Sequence, residues 1–191
     1  TNAARMAMGL EASVTVLDKS LPRLYELDML FGSTLNTIYS TIESVEQHVS
    51  SADLVIGAVL IPGAAAPKLV SRELISKMKT GSVVVDVAID QGGCFETSKP
   101  TTHDKPIYIV DGVIHYCVTN MPGAVARTST TALSNATMPF VLALAEDGYV
   151  TAMRKDPHFL RGLNVCNGSV THEAVAQTFG YDYKKPDLAL I

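Results

Sequence analysis

The residue in this chain best placed to contact a ligand is a carboxylate at the end of an apolar run. Residues 82–89 are almost continuously apolar and β-branched, and the run stops at Asp90, Gln91, Gly92 and Gly93. A strand that is apolar on both faces is typical of the middle of a parallel sheet, where ligands bind beyond the carboxyl ends of strands. Asp90 is therefore predicted to lie at the mouth of a binding crevice. The alternative is an Asp that only caps the loop before two glycines.

A second carboxylate, Asp18, follows a short alternating strand at residues 13–17. In dinucleotide-binding βαβ units an acid in this place binds the adenosine ribose hydroxyls, about 20 residues after a Gly-x-Gly-x-x-Gly turn. Counted back from Asp18, that turn falls just before residue 1. An acid here favours NAD over NADP, because a carboxylate repels a 2′-phosphate. The alternative is an exposed Asp that ends a strand.

Two further segments follow strands and have the composition of a cofactor pocket. Val59 and Leu60 lie before a Pro-Gly turn at 62–63, where apolar residues floor a nicotinamide or adenine pocket. Asn120 and Met121 follow a hairpin and are predicted to face the reactive ring of a cofactor. The alternatives are a buried strand end before a turn for the first pair, and turn and packing residues for the second.

The elements that must position these residues alternate along the chain. Apolar strands are predicted at 13–17, 35–39, 53–60 and 82–89, with short amphipathic helices between them. This alternation is typical of a doubly wound parallel sheet in an α/β protein. Asp111-Gly112 between two strand-like runs predicts a hairpin. Residues 131–146 form one long predicted helix that stops at Gly148.

Local details of three segments are also predicted. Ser20 caps a helix whose buried stripe is Leu21, Leu24, Leu27 and Leu30. Residues 40–43 have the form of a capping box, and the helix after them points Ile42, Val45 and Val49 inward. The end of the chain, residues 181–191, is predicted to be a loosely held tail.

Composition restricts the class of protein. The 191 residues fit one domain, or one domain with part of another, and 47% of them are hydrophobic. The net charge of -4 argues against general affinity for nucleic acid or anionic membrane, and no apolar run is long enough to span a bilayer. Three distant cysteines and five scattered histidines lack metal-ligand spacing. The pattern predicts a cytoplasmic protein without a metal site.

Several stretches together resemble bacterial alanine dehydrogenase over essentially the whole chain. The residues that carry the resemblance lie at 56–64, 85–94, 100–103, 115–118, 120–125, 136–139 and 162–165. The pair of motifs Asp-Gln-Gly-Gly-Cys at 90–94 and Asn-Met-Pro-Gly-Ala at 120–124 is specific. The resemblance implies a Rossmann-type fold and reversible NAD-dependent oxidation of L-alanine to pyruvate and ammonium. It also implies a homohexamer.

Carried over residue by residue, the resemblance makes Asp90 the catalytic carboxylate. It implies adenosine-side contacts for Asp18, Arg23 and Ser40. The nicotinamide side is implied to comprise Val59, Leu60, Val87, Ala88, Ile89, Asp90, Val118, Thr119, Asn120 and Met121. Lys99 stands where the family usually has a cofactor-contacting Arg. Lysine keeps the positive charge but lacks the bidentate fork of the guanidinium. Asp86, inside the strand, is predicted to be structural.

The family's substrate-binding Arg and Lys, its catalytic His and its glycine turn all lie in an amino-terminal part that this chain does not contain. The resemblance therefore predicts an NAD-binding domain at residues 1–126, without its first strand and Gly-rich turn. Residues 127–191 are predicted to be the carboxyl-terminal part of the substrate domain, and the chain alone is not expected to turn over substrate. Two alternatives remain: an NAD-binding subunit of proton-translocating transhydrogenase, and a non-catalytic nucleotide-binding domain.

Overall fold

The computed structural model describes residues 1–61 and 65–190 and has α-helices and β-strands in alternation. The strands are β1 (Val14–Asp18), β2 (Leu35–Tyr39), β3 (Leu54–Gly57), β4 (Val83–Asp86), β5 (Ile107–Val110), β6 (Val113–Tyr116), β7 (Val165–Cys166) and β8 (Ser169–Val170). The helices are α1 (Asn2–Gly9), α2 (Leu21–Phe31), α3 (Ile42–Ser51), α4 (Arg72–Ser76), α5 (Ala126–Lys155), α6 (Pro157–Leu160), α7 (Glu173–Phe179) and α8 (Pro186–Ala189). Short 3₁₀ helices cover Gly32–Thr34, Ile89–Gln91 and Met121–Val125. The predicted turn at 62–63 lies outside the described residues.

The described chain forms two compact units. The first comprises Thr1–Val59 and Ala66–Thr119, and the second comprises residues 120–190 with the described residues of 60–65. The core of the first unit lies around β4, α4 and Phe95. The second unit has a smaller core of its own around Met153 and Leu163. The division at 126–127 into NAD-binding and substrate domains concerns function and stays a prediction.

The strands of the first unit are mostly parallel. β1 pairs with β2, and in a second sheet β3, β4 and β6 are parallel while β5 adds an antiparallel edge. A doubly wound sheet has the strand order 3-2-1-4-5-6. β2 and β1 match the pair 3-2 on one side of its strand 1, and β3, β4 and β6 match the run 4-5-6 on the other side. The α/β class with a parallel sheet is therefore confirmed. Among the described residues, hydrogen bonds join the strands into two sheets instead of one.

One face of the four-stranded sheet is buried and the other is exposed. Val84 and Val113 point into the core of the first unit, where they are fully buried. The opposite face is apolar in every strand and consists of Leu54, Ile56, Val83, Val85, Ile107, Ile109, Ile114 and Tyr116. Leu54 is 49% exposed, so the apolar strand predicted at 53–60 is not buried on this face, and it ends at Gly57 and not at residue 60. Helices normally cover both faces of a parallel sheet, whereas on this face Leu54, Ile56, Ile107 and Ile109 are exposed.

Helix α2 shows why a regular spacing of leucines does not always make a buried stripe. Ser20 caps the helix with its side chain, as predicted. Leu24 and Leu27 are buried, whereas Leu21 and Leu30 are 63% and 54% exposed, so the predicted stripe is wrong at both ends. The nine steps from Leu21 to Leu30 cover about two and a half helical turns, which puts the two side chains on opposite sides of the helix.

Helix α3 begins one residue later than its sequence suggests. Thr41 is the cap, and its hydroxyl accepts the backbone N–H of Ser44 while Ser44 Oγ accepts the backbone N–H of Thr41. The capping box is therefore present at 41–44 and not at 40–43. Val49 is buried, but Ile42 is 81% exposed because it occupies the first turn on the solvent side.

The predicted hairpin is confirmed by its turn. Asp111 and Gly112 have φ angles of 51° and 81°, and they connect β5 to β6 in antiparallel register. Positive φ at both central residues is the requirement of a type I′ turn, whose twist matches that of the strands. The predicted stop at Gly148 is also confirmed, because α5 is interrupted there by a non-helical φ of 72°.

The end of the chain is packed, so the prediction of a loose tail is wrong. Ala189 and Leu190 are 1% exposed and lie in the core of the second unit. The guanidinium of Arg154 donates to the carbonyl of Leu190 at 2.6 Å. Burying the side chains of Ala189 and Leu190 stabilises the packed end, although the residues before them are mostly polar.

The first prediction concerns Gly57, where β3 passes close to the loop after β4. A Cβ at this position would lie 2.2 Å from Cys94 Sγ and 2.8 Å from a ring carbon of Phe95. We expect Gly57→Ala to lower the free energy of unfolding by about 1–3 kcal/mol, since overpacking moves buried atoms. Urea unfolding of the variant measures this.

Gly9→Ala is the matched control, because no heavy atom lies within 4 Å of the added Cβ. Its free energy of unfolding should stay the same or rise by up to about 1 kcal/mol. Adding Cys94→Ala to Gly57→Ala should recover part of the loss by removing the nearest atom. Equal unfolding midpoints for Gly57→Ala and Gly9→Ala would contradict the close approach.

Candidate functional site

The candidate site lies at the edge of the first unit where the parallel strands end. β3, β4 and β6 run in the same direction, so residues that follow their last residues share one edge of the sheet. Val59 follows β3, the segment from Val87 to Asp90 follows β4, and Val118 and Thr119 follow β6. Ligands of open α/β sheets bind at this edge.

The strand that carries the site ends earlier than its apolar sequence suggests. β4 stops at Asp86, and Asp90 lies four residues further on, in the 3₁₀ helix Ile89–Gln91. The prediction that Asp90 directly ends the strand is therefore wrong. The reason is Asp86 itself: its carboxylate accepts the N–H of Ala88 at 3.0 Å and that of Cys94 at 2.8 Å, and these bonds turn the chain away from the strand.

The turn after β4 presents two of its side chains to solvent and buries two. Val87 is 48% exposed and Asp90 is exposed, whereas Ala88 and Ile89 are buried. Ile89 thus anchors the short helix in the protein, and Asp90 is presented next to it on the outside. A carboxylate held on an anchored turn has the fixed backbone that positioned catalysis requires.

The glycine at position 93 is required by its surroundings. Its φ is +74°, and a Cβ there would lie 2.6 Å from Asp86 Oδ2 and 2.8 Å from Ser98 Cβ. Any side chain would therefore push the loop off the Asp86 carboxylate. The sequence Gly92-Gly93, expected to let backbone approach a ligand, also lets backbone approach Asp86.

A buried polar network surrounds Asp86 below the site. Ser98 donates its hydroxyl to Asp86, and the Cys94 thiol is 3.5 Å from the same carboxylate. Burial, and after it the charge of Asp86, raise the pKa of the Cys94 thiol to about 12. Cys94 is therefore a buried thiol without thiolate character at neutral pH.

The same network continues through an aromatic pair. Tyr108 Oη accepts the backbone N–H of Lys99 at 2.7 Å and donates to the carbonyl of Thr97 at 2.8 Å. The Tyr108 ring stacks on His115 with centroids 5.0 Å apart. Burial, and next a hydrogen bond with Cys117, raise the pKa of Tyr108. Both rings therefore hold the segment 97–99 in place as neutral groups.

The predicted adenosine side is formed at the ends of β1 and β2. Asp18 Oδ1 accepts the backbone N–H of Ser20 at 2.8 Å, and among the described residues no other group donates to this carboxylate. The backbone N–H of Ser40 donates to the Asp18 carbonyl at 3.0 Å, so the structure brings these two residues together. Arg23 lies on the next helix, where its guanidinium contacts Glu26 at 2.7 Å and Thr1.

The remaining predicted residues differ in exposure and in unit. Val118 is fully buried, and Thr119 bonds the carbonyl of Thr101 through its backbone N–H at 3.1 Å. Leu60 is 69% exposed and belongs to the second unit, as do Asn120 and Met121. Met121 begins the 3₁₀ helix Met121–Val125, and Asn120 precedes it with a φ of 54°. The first unit therefore contains the predicted site residues that lie between Asp18 and Val59 and between Val87 and Lys99. It also contains Val118 and Thr119.

One charged residue next to the site was not predicted from the sequence. Asp86 was predicted to be structural, and its burial and the backbone N–H groups that donate to it agree with that prediction. Lys68 was not singled out at all. Its ammonium is 2.6 Å from the carbonyl of Gly92, 2.8 Å from that of Gly93 and 3.3 Å from that of Phe95. Nothing in the sequence around Lys68 indicates these contacts.

The described residues contain neither a metal-ligand cluster nor a membrane-spanning helix. Within 1–61 and 65–190, no group of three or more His, Cys, Asp and Glu side chains is arranged to hold a metal ion. No helix in that part of the chain combines the length and apolar character needed to cross a membrane.

The fold and this edge define the class of protein. Parallel strands alternating with helices in the doubly wound order, with their carboxyl ends at one edge, are the features of a Rossmann-type nucleotide-binding domain. Residues 1–173 match the family described as "Alanine dehydrogenase/PNT, C-terminal domain". The chain belongs to this family.

Individual relatives agree with the family. Alanine dehydrogenase of Halomonas elongata is 64% identical to this chain over 182 residues, which are 95% of the chain and 49% of that protein. A solved L-alanine dehydrogenase structure is 50% identical, with a TM-score of 0.81 over 93% of this chain and 49% of that one. A transhydrogenase structure from Sinorhizobium meliloti is 27% identical, with a TM-score of 0.68 over 90% and 46%. The chain thus spans about half the length of these relatives.

The second prediction concerns the pH dependence of stability at His115. This ring is fully buried, its Nδ1 donates to the carbonyl of Val113 at 3.0 Å, and its Nε2 is 2.7 Å from Thr97 Oγ1. A carbonyl only accepts, so the neutral ring carries its proton on Nδ1 and accepts the Thr97 hydroxyl proton at Nε2. Burial lowers the pKa of His115.

Because the folded pKa lies below the unfolded one, the unfolded chain binds a proton more readily. Stability is therefore complete above about pH 6.5, the pKa of an exposed His, and falls as the pH drops below it. Urea unfolding at pH 7.5, 6.5 and 5.5 should show this fall, and His115→Asn should flatten it. The exposed His158→Asn serves as the control and should leave the fall unchanged; an equally steep fall in both variants would contradict the prediction.

Proposed function

We propose that this chain is the cofactor-binding half of an NAD-dependent alanine dehydrogenase. The observation that carries the proposal is the 64% identity to Halomonas elongata alanine dehydrogenase across 95% of the chain. The alignment covers almost the whole of this chain. The rival transhydrogenase structure is less than half as identical.

The proposed reaction converts L-alanine, NAD and water into pyruvate, ammonium, NADH and a proton. When bound, NAD would accept the hydride from the α-carbon of alanine. The α-ammonium group first loses the proton that appears among the products, which frees the nitrogen lone pair. As the hydride leaves, this pair forms the C=N bond of a cationic imine, and water then adds to the imine carbon before the nitrogen leaves as ammonium. The groups that this chain supplies bind the cofactor and act on the charge and the water.

Asp18 is proposed to bind the adenosine ribose. Its Oδ1 is used by the Ser20 N–H, which holds the carboxylate in a fixed orientation at the end of β1. The second oxygen is then available to accept from ribose hydroxyls, and its charge disfavours a 2′-phosphate. This supports NAD in preference to NADP. Ser40, held beside Asp18, is proposed to contact the same half of the cofactor.

Asp90 is proposed to be the catalytic carboxylate. Its exposure on an anchored turn at the strand-end edge supports this role. There are three ways in which it would act: stabilising the cationic imine, orienting the attacking water, or holding the family's His in its working protonation state. All three require the charge of the carboxylate at a fixed place.

The other residues of the nicotinamide side are proposed with different kinds of contact. Val87 and Thr119 have partly exposed side chains next to this edge. Ala88 and Ile89 are buried, so their contacts with a cofactor would be made by backbone atoms. Lys99 is exposed, and its ammonium has no partner among the described residues, so it is proposed to contact a cofactor phosphate.

The wider assignments are proposed on the same grounds. Residues 1–126 would be the NAD-binding domain and 127–191 part of the substrate domain, with L-alanine and pyruvate as substrates. The complete protein is proposed to be a cytoplasmic homohexamer. Sedimentation analysis and cell fractionation of the full-length gene product test the last two assignments.

The rival proposal is a nucleotide-binding subunit of a transhydrogenase, because the matched family covers both activities by name. Alanine-dependent formation of NADH by the full-length gene product supports the dehydrogenase. Hydride transfer from NADPH to an NAD analogue in membranes, without alanine, would support the transhydrogenase instead. Absence of both activities would favour a non-catalytic nucleotide-binding domain.

The third prediction is that Asp90→Asn lowers kcat for alanine oxidation by roughly 10²–10⁴-fold in the full-length gene product. The amide keeps the size of the side chain and removes its charge. The Kd for NAD, measured by titration calorimetry, should change far less, because most of the cofactor lies away from Asp90.

Asp104→Asn is the matched control, since Asp104 is an exposed carboxylate in a loop of the same unit. It should keep the kcat of the parent enzyme. If Asp90→Asn also kept a kcat near that of the parent, the catalytic role would be lost and Asp90 would be a residue that only caps its turn.

The fourth prediction is that Asp18→Ala weakens NAD binding by about 1–3 kcal/mol, the range for losing charge-assisted hydrogen bonds. The ratio of NADP to NAD affinity should rise at the same time, because the charge that repels a 2′-phosphate is gone. Asp28→Ala, an exposed acid on α2, should change neither quantity. Unchanged calorimetric affinity for NAD in Asp18→Ala would remove Asp18 from the site.

A further inference from the structure

The loop that carries Asp90 is bound from two sides by opposite charges. On the buried side, the Asp86 carboxylate accepts backbone N–H groups of Ala88 and Cys94. On the other side, the Lys68 ammonium donates to the carbonyls of Gly92, Gly93 and Phe95. An ammonium has three N–H donors, and all three have a backbone acceptor here.

The contact with Lys68 is transmitted to Asp90 through a short chain of hydrogen bonds. The N–H of Gly92 donates to the carbonyl of Ile89 at 3.0 Å, and the N–H of Gly93 donates to that of Ala88 at 3.1 Å. The residues whose carbonyls Lys68 binds are thus bonded to the first residues of the turn that contains Asp90. Movement of Gly92 or Gly93 would displace Asp90 with them.

The segment that contains Lys68 is itself fixed to the same loop. The N–H of Ala66 donates to the carbonyl of Gln91, and that of Leu69 donates to the carbonyl of Cys94, each at 2.8 Å. Val70 forms a parallel bridge with Phe95. Lys68 therefore starts from a backbone that already lies beside the glycines.

Two adjacent glycines have more conformational freedom than any other pair of residues, so this turn needs outside contacts to keep one shape. Lys68 is exposed overall, and solvent therefore screens its charge at a distance. Lys68 therefore contributes to the shape of the turn through the geometry of its three hydrogen bonds to backbone carbonyls. A displacement of about 1 Å in a catalytic group is enough to reduce a rate by about two orders of magnitude.

We infer that Lys68 is a positioning residue for Asp90: by binding the Gly92, Gly93 and Phe95 carbonyls against Asp86, it holds the turn in the shape that the reaction needs. The inference rests on the proposed function, because it requires Asp90 to act in catalysis. Lys68 itself touches neither substrate nor cofactor in this assignment.

The test is a double-mutant cycle in the full-length gene product with Lys68→Met, Asp90→Asn and both together. Lys68→Met keeps the length of the side chain and removes its donors. We expect it to lower kcat for alanine oxidation by about 10- to 100-fold while the Kd for NAD stays within about threefold. In the double variant, kcat should equal that of Asp90→Asn alone, because Lys68 acts through the carboxylate that is already lost.

Three further measurements keep the outcome interpretable. Each kcat is expressed per NAD-binding site, so that a partly unfolded sample does not imitate a loss of positioning. Lys79→Met is the control, since Lys79 pairs at the surface with Asp53 and should keep the parent kcat. Lys68→Arg keeps a cationic donor, and it should restore most of the rate; if Lys68→Met does not fold, the smaller loss in Lys68→Arg is followed through the same cycle.

Two results would overturn the inference. One is a kcat for Lys68→Met equal to that of the parent. The other is the same fold-loss from Lys68→Met in the parent and in the Asp90→Asn background, which would mean that Lys68 acts on stability or elsewhere. Failure of the proposed function looks different, since the parent protein would then form no NADH from alanine. A normal kcat in Asp90→Asn alone would remove the catalytic role of Asp90, on which the inference depends.

Discussion

The fully buried carboxylate of Asp86 is the interaction on which the functional edge depends. A carboxylate cannot leave water without donors to replace its hydration, and here the donors are backbone N–H groups of the following loop and the hydroxyl of Ser98. The hydrogen bonds to the Asp86 carboxylate end β4, bend the chain at Val87 and bring Cys94 back to the strand. Gly93 follows from the same requirement, because only a residue without a side chain fits between Asp86 and Ser98.

The turn that carries Asp90 is therefore a consequence of a buried charge and not of local sequence preference. Ile89 is inserted into the protein, Lys68 binds the outer carbonyls, and Tyr108 holds the segment that follows. Each contact restricts a loop that contains two glycines. The result is an exposed carboxylate on a rigid support, which is the arrangement that a positioned catalytic group requires.

The exposed face of the four-stranded sheet has the opposite character. Eight aligned side chains are apolar, yet Leu54 and Ile109 are about half or more exposed. Parallel sheets are normally covered on both faces, and this chain spans about half the length of its relatives.

The sequence by itself determined the features that depend on neighbouring residues. The alternation of strands and helices, the Ser20 cap, the Asp111-Gly112 hairpin and the stop at Gly148 are all set by local geometry, and the structure has them. Asp18 was also found at the end of β1, where its role in cofactor choice stays a prediction. The tertiary structure alone decided where β4 ends, which leucines of α2 are buried, that the tail packs, and that Lys68 meets the glycine turn. These depend on groups distant in the chain: Lys68 and Gly92 are 24 residues apart, and no pattern within either segment encodes their contact.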